Sequence, residues 1–231
     1  MELTQQQTER FNRQMMLDGF GEEGQKRLLA SKVLVVGAGG LGSPVLIYLA
    51  AAGVGTLGIV DADVVSLSNL HRQVLHTTAD LERAKVTSAE EKLKTLNPDV
   101  KINAYSCFLT AENAEEIIRN YDFIIDCTDN FTVKYLINDT CVRLGKPFSM
   151  GGVTGYTGQV MTHVPGTASY RDIFPEQPQA SSKAILSTVP GMLGTVQATE
   201  CIKYLAGVGE LLTNAFLTFD ALSMRWYRVD F

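Results

Sequence analysis

The chain has 231 residues, 45% hydrophobic and 19% charged, enough for one sizeable α/β unit with a substantial core. A net charge of −5 with no strongly basic segment argues against a surface that coats nucleic acid. The polar start MELTQQQTERFNRQ lacks a signal-peptide core, and the longest apolar run, Val45 to Val54, is too short to span a bilayer, so a cytoplasmic protein with no membrane partner is expected.

Thr4 to Leu17 reads as a helix with Thr4-x-x-Gln7 as its capping box, and residues 21–30 as a second short helix. Lys32 to Val36 is a buried strand ending at Gly37-Ala-Gly-Gly-Leu-Gly42. The next helix tolerates Pro44 in its first turn and stops at Gly53. Thr56 to Val60 is a second strand, ending at Asp61, and residues 61–83 form a polar connection long enough to suggest a functional loop. Ala84 to Leu96 is an amphipathic helix, Val100 to Tyr105 a strand and Ala111 to Arg119 a helix. Asp122 to Cys127 is a fourth strand, followed by a helix over 132–144 and a strand from Pro147 to Met150.

The pattern then changes. Gly158 to Val164, Ala215 to Phe219 and Met224 to Val229 read as strands of an antiparallel or mixed portion, with a Pro/Ser/Gln-rich loop over about 165–189 and a helix over about 192–206 between the first two. The expected class is α/β: a Rossmann-like mixed sheet, parallel in its N-terminal half, with an antiparallel C-terminal extension. The four cysteines (Cys107, Cys127, Cys141, Cys201) form no C-x-x-C pair, so neither a disulfide framework nor a cysteine zinc site is expected.

Gly37-x-Gly39-x-x-Gly42 follows a strand and opens a helix. The glycines permit a tight turn, close backbone approach to phosphate and close helix–strand packing, while the helix N-terminus offers free N–H groups to an anion. Asp61 stands 19 residues after Gly42 at the end of the next strand, where a carboxylate accepts ribose hydroxyls. Ser43 and Pro44 stand where a P-loop requires Lys and Ser/Thr, so the charge of a triphosphate must be met from elsewhere.

The fingerprint taken alone favours NAD. Asn69 and Arg72 in the loop after the second strand, Lys85 at the next helix and Asp129 after the fourth strand point instead to a nucleoside triphosphate, since strand C-termini of an open α/β sheet converge on one crevice. Arg and Lys offset phosphate charge, and one aspartate can hold a Mg²⁺ that keeps most of its waters. None of His71, His76 and His163 sits in an obvious proton relay. Taken one at a time, Asp126 and Asp129 read equally well as helix caps, Cys127 as a small buried residue, and Arg10 and Arg13 as exposed charges one turn apart.

At these residues the sequence resembles the ThiF/MoeB/HesA family, the bacterial relatives of ubiquitin-activating enzymes. The resemblance runs nearly end to end, through Arg10-Phe-Asn-Arg13-Gln14, the glycine loop, Asp61-Ala-Asp63, Ser66-Leu-Ser-Asn-Leu-His-Arg-Gln73, Lys85, Asp126-Cys-Thr-Asp-Asn130, Gln197-Ala-Thr-Glu200 and Asp220-Ala-Leu-Ser-Met224. It implies one domain over 1–231: N-terminal helices (1–30), a nucleotide-binding half (31–150) and a carrier-docking half (151–231) with a crossover loop over about 165–189. It also implies a homodimer that adenylates the C-terminal Gly-Gly carboxylate of a ubiquitin-fold sulfur carrier with ATP and Mg²⁺. By that resemblance Gly37, Gly39, Gly40 and Gly42 lie against the nucleotide, Asp61 holds the ribose, Asp63 belongs to the same nucleotide-binding set, and Asn69, Arg72 and Lys85 bind phosphates. Asp129 binds Mg²⁺, Asn130 sits beside the nucleotide, and Arg13 reaches into the partner subunit's site.

The chain departs from that family in two places. Ser169-Tyr-Arg-Asp172 stands where many relatives carry the first C-x-x-C of a structural zinc, so no zinc is expected. Ala180-Ser-Ser-Lys-Ala184 holds no crossover-loop cysteine, which points to a separate sulfur donor; a serine acyl intermediate at Ser181 or Ser182 has no nearby activating base. The alternatives are adenylation of another carboxylate (a modified tRNA base or a peptide), an NAD-dependent oxidoreductase, and a non-catalytic binding subunit. The carrier, the sulfur donor and the final pathway (thiamine, molybdenum cofactor or other) stay open.

Overall fold

The computed structural model describes residues 2–176 and 184–231, so Ser181, Ser182 and most of the segment without the crossover-loop cysteine lie outside the described residues. Helix α1 (Gln5–Met15) starts as its sequence demands: the Thr4 hydroxyl accepts the Gln7 amide and the Gln7 side chain accepts the Thr4 amide, each at 3.1 Å. Helix α2 (Gly21–Ala30) leads into β1 (Lys32–Val36), whose last four residues are all buried. Such a continuous apolar run fits a central strand covered on both faces. Val33 and Val35 enter one core cluster, while Leu34 and Val36 enter the other.

Helix α3 (Gly42–Ala52) ends at Gly53, whose φ of +88° a side chain would strain. In chain order there follow β2 (Thr56–Val60), α4 (Lys85–Leu96), β3 (Lys101–Tyr105), α5 (Ala114–Ile118), β4 (Phe123–Asp126), α6 (Phe131–Leu144), β5 (Phe148–Thr154), β6 (Thr157–His163), α7 (Tyr170–Ile173), α8 (Thr188–Ala206), β7 (Ala215–Asp220) and β8 (Arg225–Asp230).

The eight strands form one sheet in the order β3-β2-β1-β4-β5-β6-β7-β8. The pairs from β3 to β5 are parallel, and those from β5 to β8 antiparallel. This is the expected Rossmann-like mixed sheet. The chain winds outward from β1 through β2 to β3, then returns to β4 on the other side of β1. The β1/β4 boundary is therefore the topological switch point, where an open α/β sheet forms its ligand crevice.

Several element boundaries differ from the sequence expectation. Helix α5 keeps only five residues, because Asn113 turns its side chain back to the Thr110 amide and the Phe108 carbonyl. Strand β5 runs four residues beyond Met150, since β6 pairs with it along its whole length. The loop after β6 contains α7, capped by Ser169 and Asp172, and α8 begins at Thr188 because Pro190 is tolerated in its first turn. No helix among the described residues is long and apolar enough to cross a membrane.

Candidate nucleotide site

The glycine loop is built by close approach. Gly37, at φ +97°, sits where a Cβ would lie 2.8 Å from the Cys127 carbonyl oxygen, and a Cβ on Gly42 would lie 1.9 Å from the Gly37 oxygen. These two glycines let β1, the end of β4 and the start of α3 touch. A Cβ on Gly40 would meet Pro190 of α8 and the Arg72 side chain at 3.1 and 3.5 Å, and one on Gly39 the Gln73 side chain at 3.4 Å. The amides of Gly39, Gly40 and Leu41 make no hydrogen bond among the described residues. They are the open donors of a helix N-terminus.

Asp61 is tied into this loop. One carboxylate oxygen accepts the Ala38 amide at 2.8 Å and the other the Asp63 amide at 2.8 Å. A carboxylate has about four lone-pair sites, so two remain for a ligand. Lys85, 6% exposed at its side chain, donates to Asp63 at 2.9 Å and lies 4.0 Å from Asp61. Asp63 thus holds the lysine in this structure.

Arg72 borders the space a Cβ on Gly40 would fill and donates to the Ser68 carbonyl at 3.2 Å, with the His71 ring nitrogen 2.9 Å away. Asn69 shapes this turn: its side chain accepts the Ser66 amide at 3.4 Å and its carbonyl accepts the Arg72 and Gln73 amides. Of these two residues, Arg72 is the one that borders the glycine loop, at Gly40.

Across the switch point the strand-end aspartates take different positions. Asp126, fully buried, accepts the Thr128 amide and hydroxyl at 2.9 and 2.7 Å and forms an ion pair with Lys134 at 2.6 Å. Lys134 also donates to the Gly151 carbonyl at 2.6 Å, and Gln197 of α8 to the Asp126 carbonyl at 2.9 Å. The helix cap that Asp126 and Asp129 offered in sequence is made by Asn130, which accepts the Val133 amide at 3.3 Å. Asp129 is exposed and makes no hydrogen bond or ion pair among the described residues. Burial, with Asp126 beside it, pushes the Cys127 thiol well up, so it stays neutral. Arg13, in the last turn of α1, is exposed and unpaired among the described residues, whereas Arg10 donates to the Leu96 carbonyl at 3.1 Å.

Sequence reasoning passed over Gln73, Ser43, Lys134 and His76. Among the described residues, the buried side-chain polar atoms without a partner are Ser43 Oγ, in the first turn of α3, and Gln73 Oε1, on the side chain whose amide nitrogen a Cβ at Gly39 would meet at 3.4 Å. Orphaned polar groups are costly unless a ligand or water meets them, so their coincidence with the open amides fits a polar ligand at this loop. Lys134, in the first turn of α6, and His76, in the loop before α4, carry no local signal, since their neighbours in sequence are partly exposed. No group of three or more His, Cys, Asp or Glu among the described residues could hold a metal ion by itself.

The sequence matches the ThiF family over residues 11–231. It is 46% identical over 230 residues to the adenylyltransferase and sulfurtransferase MOCS3 of Arabidopsis thaliana, covering 96% of this chain and 50% of that protein. It is 44% identical over 234 residues to the sulfur carrier protein adenylyltransferase of Thermus thermophilus, covering 96% of this chain and 86% of that protein. The chain thus spans about half the length of its plant relatives and most of the bacterial one. Among solved structures, PaaA superposes with a TM-score of 0.84 at 24% identity, covering 99% of this chain and 74% of that one. Escherichia coli MccB with ATP superposes with a TM-score of 0.81 at 21% identity, covering 90% and 65%. These two likenesses show a shared fold.

Proposed function

The chain belongs to the ThiF family, and on that premise we propose that it is a cytoplasmic, homodimeric adenylyltransferase, which uses ATP to activate the C-terminal glycine carboxylate of a ubiquitin-fold sulfur carrier. The observation that carries this reading is the glycine loop itself: open amides at Gly39 and Gly40, orphaned polar atoms on Ser43 and Gln73, and Asp61 bound to the loop at 2.8 Å. The 44% identity to a relative named for sulfur-carrier adenylation, over nearly the whole chain, supports the choice of substrate.

In the proposed reaction the carrier's terminal carboxylate attacks the α-phosphorus of ATP, and pyrophosphate leaves with the electron pair of the broken P–O bond. A carboxylate is a weak nucleophile toward an anion, so charge compensation dominates. The loop amides and Arg72 bind the phosphates, Asp61 accepts from the ribose, and Lys85 turns from Asp63 toward the phosphates. Arg13 enters from a second copy of the chain. Each well-aimed donor contributes roughly 3–4 kcal/mol to such a transition state. Alignment of the tail with the phosphorus adds the benefit of proximity.

Mg²⁺ fits at Asp129, whose carboxylate is free: Mg²⁺ takes one or two carboxylates and fills its other positions with water and phosphate oxygens. When bound it supplies neutralisation of phosphate charge. With no cysteine over Ala180–Ala184, sulfur arrives from a separate donor, whose sulfur attacks the acyl-adenylate carbonyl and displaces AMP as the C–O bond breaks.

The test is carrier-dependent exchange of labelled pyrophosphate into ATP with Mg²⁺. Exchange that requires a partner ending in Gly-Gly supports the proposal. Exchange with a free peptide or a modified tRNA in place of the carrier moves the acceptor class, and NADH binding without ATP binding returns the site to the dehydrogenase reading.

A further inference from the structure

His76 lies under the glycine loop, 4% exposed, with both ring nitrogens engaged. Its Nε2 is 3.0 Å from the Ala38 carbonyl oxygen, and its Nδ1 is 2.8 Å from the Ser88 hydroxyl. A carbonyl can only accept, so Nε2 carries the hydrogen and the neutral ring's Nδ1 is bare. Ser88 must then donate its hydroxyl hydrogen to Nδ1. The Ser88 oxygen in turn accepts from the Lys92 ammonium at 2.9 Å. The same ammonium pairs with Asp80, which also accepts the Thr77 amide and hydroxyl at 2.7 Å and Arg83 at 3.1 Å. Hydrogen bonds therefore run head to tail from a charged lysine on α4 to one backbone carbonyl of the nucleotide loop.

That carbonyl belongs to the Ala38–Gly39 peptide, whose other end is the unpaired Gly39 N–H. A peptide whose oxygen accepts a hydrogen bond becomes more polar, and its N–H a stronger donor. The preceding peptide is held as well, through the Ala38 N–H on Asp61. Ala38 is thus clamped on both sides, by side chains from two separate segments.

We propose that Lys92, Ser88 and His76 form a donor relay that orients and polarises the Ala38–Gly39 peptide, so that the Gly39 amide is preset to receive a nucleotide phosphate. His76 is then a positioning residue of the site and Ser88 its orienter. This rests on the proposed binding of ATP at the glycine loop.

The experiment uses the full chain and four proteins: the parent, His76→Leu, His76→Gln and Ser88→Ala. MgATP binding is measured by calorimetric titration and folding by thermal melting. The Ala38–Gly39 peptide is observed by NMR after labelling alanine carbonyls with ¹³C and glycine amides with ¹⁵N, a scheme that reports only the three Ala-Gly pairs, at Ala38, Ala52 and Ala206.

The relay predicts that Ser88→Ala and His76→Leu shift the Ala38 carbonyl and Gly39 amide resonances and weaken MgATP binding roughly three- to tenfold, the scale of one hydrogen bond. It predicts that His76→Gln, whose amide reaches the same carbonyl, recovers most of the affinity. Folded Ser88→Ala protein with parental affinity and an unmoved Ala38–Gly39 signal overturns the relay. Weakened binding with an unmoved signal also overturns it, because that is the mark of general destabilisation. If the parent protein itself binds no MgATP, the nucleotide reading fails and the relay's purpose with it, whatever the resonances do.

Discussion

The Asp61 carboxylate accepts the backbone amide of Ala38 at 2.8 Å, across 23 residues of sequence. The residue assigned to the ribose therefore also sets the path of the loop assigned to the phosphates, and the two functions cannot be varied independently. Asp61→Asn puts this to the test. Asparagine offers one acceptor oxygen where two amides use one each, setting its NH2 against one of them at a cost of about 1–3 kcal/mol when that one is the Ala38 amide of the loop. The expected outcome is a lowered melting temperature together with MgATP binding weakened at least about tenfold. A folded Asp61→Asn protein with full affinity would refute the coupling.

Two glycines of the loop separate folding from binding. An alanine Cβ at position 42 would sit 1.9 Å from the Gly37 oxygen, inside backbone that cannot move without parting β1 from α3. Gly42→Ala is expected to destabilise by roughly 4 kcal/mol or more. At Gly40 the neighbours at 3.1 and 3.5 Å are side-chain atoms of Pro190 and Arg72. Gly40→Ala is expected to cost about 1–2 kcal/mol of stability while lowering MgATP affinity, because the methyl group would stand where the proposed site receives the phosphates. Urea denaturation and titration of both variants check this; equal losses of stability would contradict it.

Acid should weaken the fold in two steps. Burial holds His76 below its ordinary value of 6.5, against the opposing pull of the Ala38 carbonyl. The unfolded chain then takes up this proton first, so His76's contribution is complete above about pH 6.5 and declines as the pH falls toward the folded value. Burial alone would raise Asp80, but Lys92 and Thr77 outweigh it and hold the carboxyl well below its ordinary 3.8. Its contribution is present above about pH 4 and is lost as the pH falls further. Urea midpoints measured from about pH 8 to pH 3 should show both declines, and His76→Gln should remove the upper one. An unchanged upper decline in that variant would assign it to other groups.

Lys134 and Asp126 are both buried and lie 2.6 Å apart at the switch point. Lys134→Met strands the aspartate charge, with an expected loss of about 3–5 kcal/mol. Adding Asp126→Asn removes that stranded charge and should restore part of the loss. Denaturation of the single and double variants forms the cycle, and strictly additive losses would show that the pair is not coupled.

Much of this was written locally. Lys32 to Val36 is a short, valine-rich apolar run ending at a glycine turn, and its length and β-branched content favour a strand covered on both faces over a buried helix. The Thr4–Gln7 cap, the stop at Gly53 and the Asp61 strand end are likewise decided by residues within a few positions of each other. The glycine spacing and its acidic partner could be read for the same reason: the turn imposes its requirements on consecutive residues.

The partners of polar groups were decided elsewhere. Nothing near His76 in sequence names Ala38 as the acceptor of its hydrogen, 38 residues away, and nothing near Asp126 names Lys134 rather than the helix amides. Those choices follow from which segments the sheet order brings together once β4 returns beside β1, and from the cost of leaving a buried polar group unpaired, which only the packed interior imposes. Periodicity and turn chemistry thus determined the strands, the helices and the loop; the tertiary structure alone decided which side chains hold that loop in place.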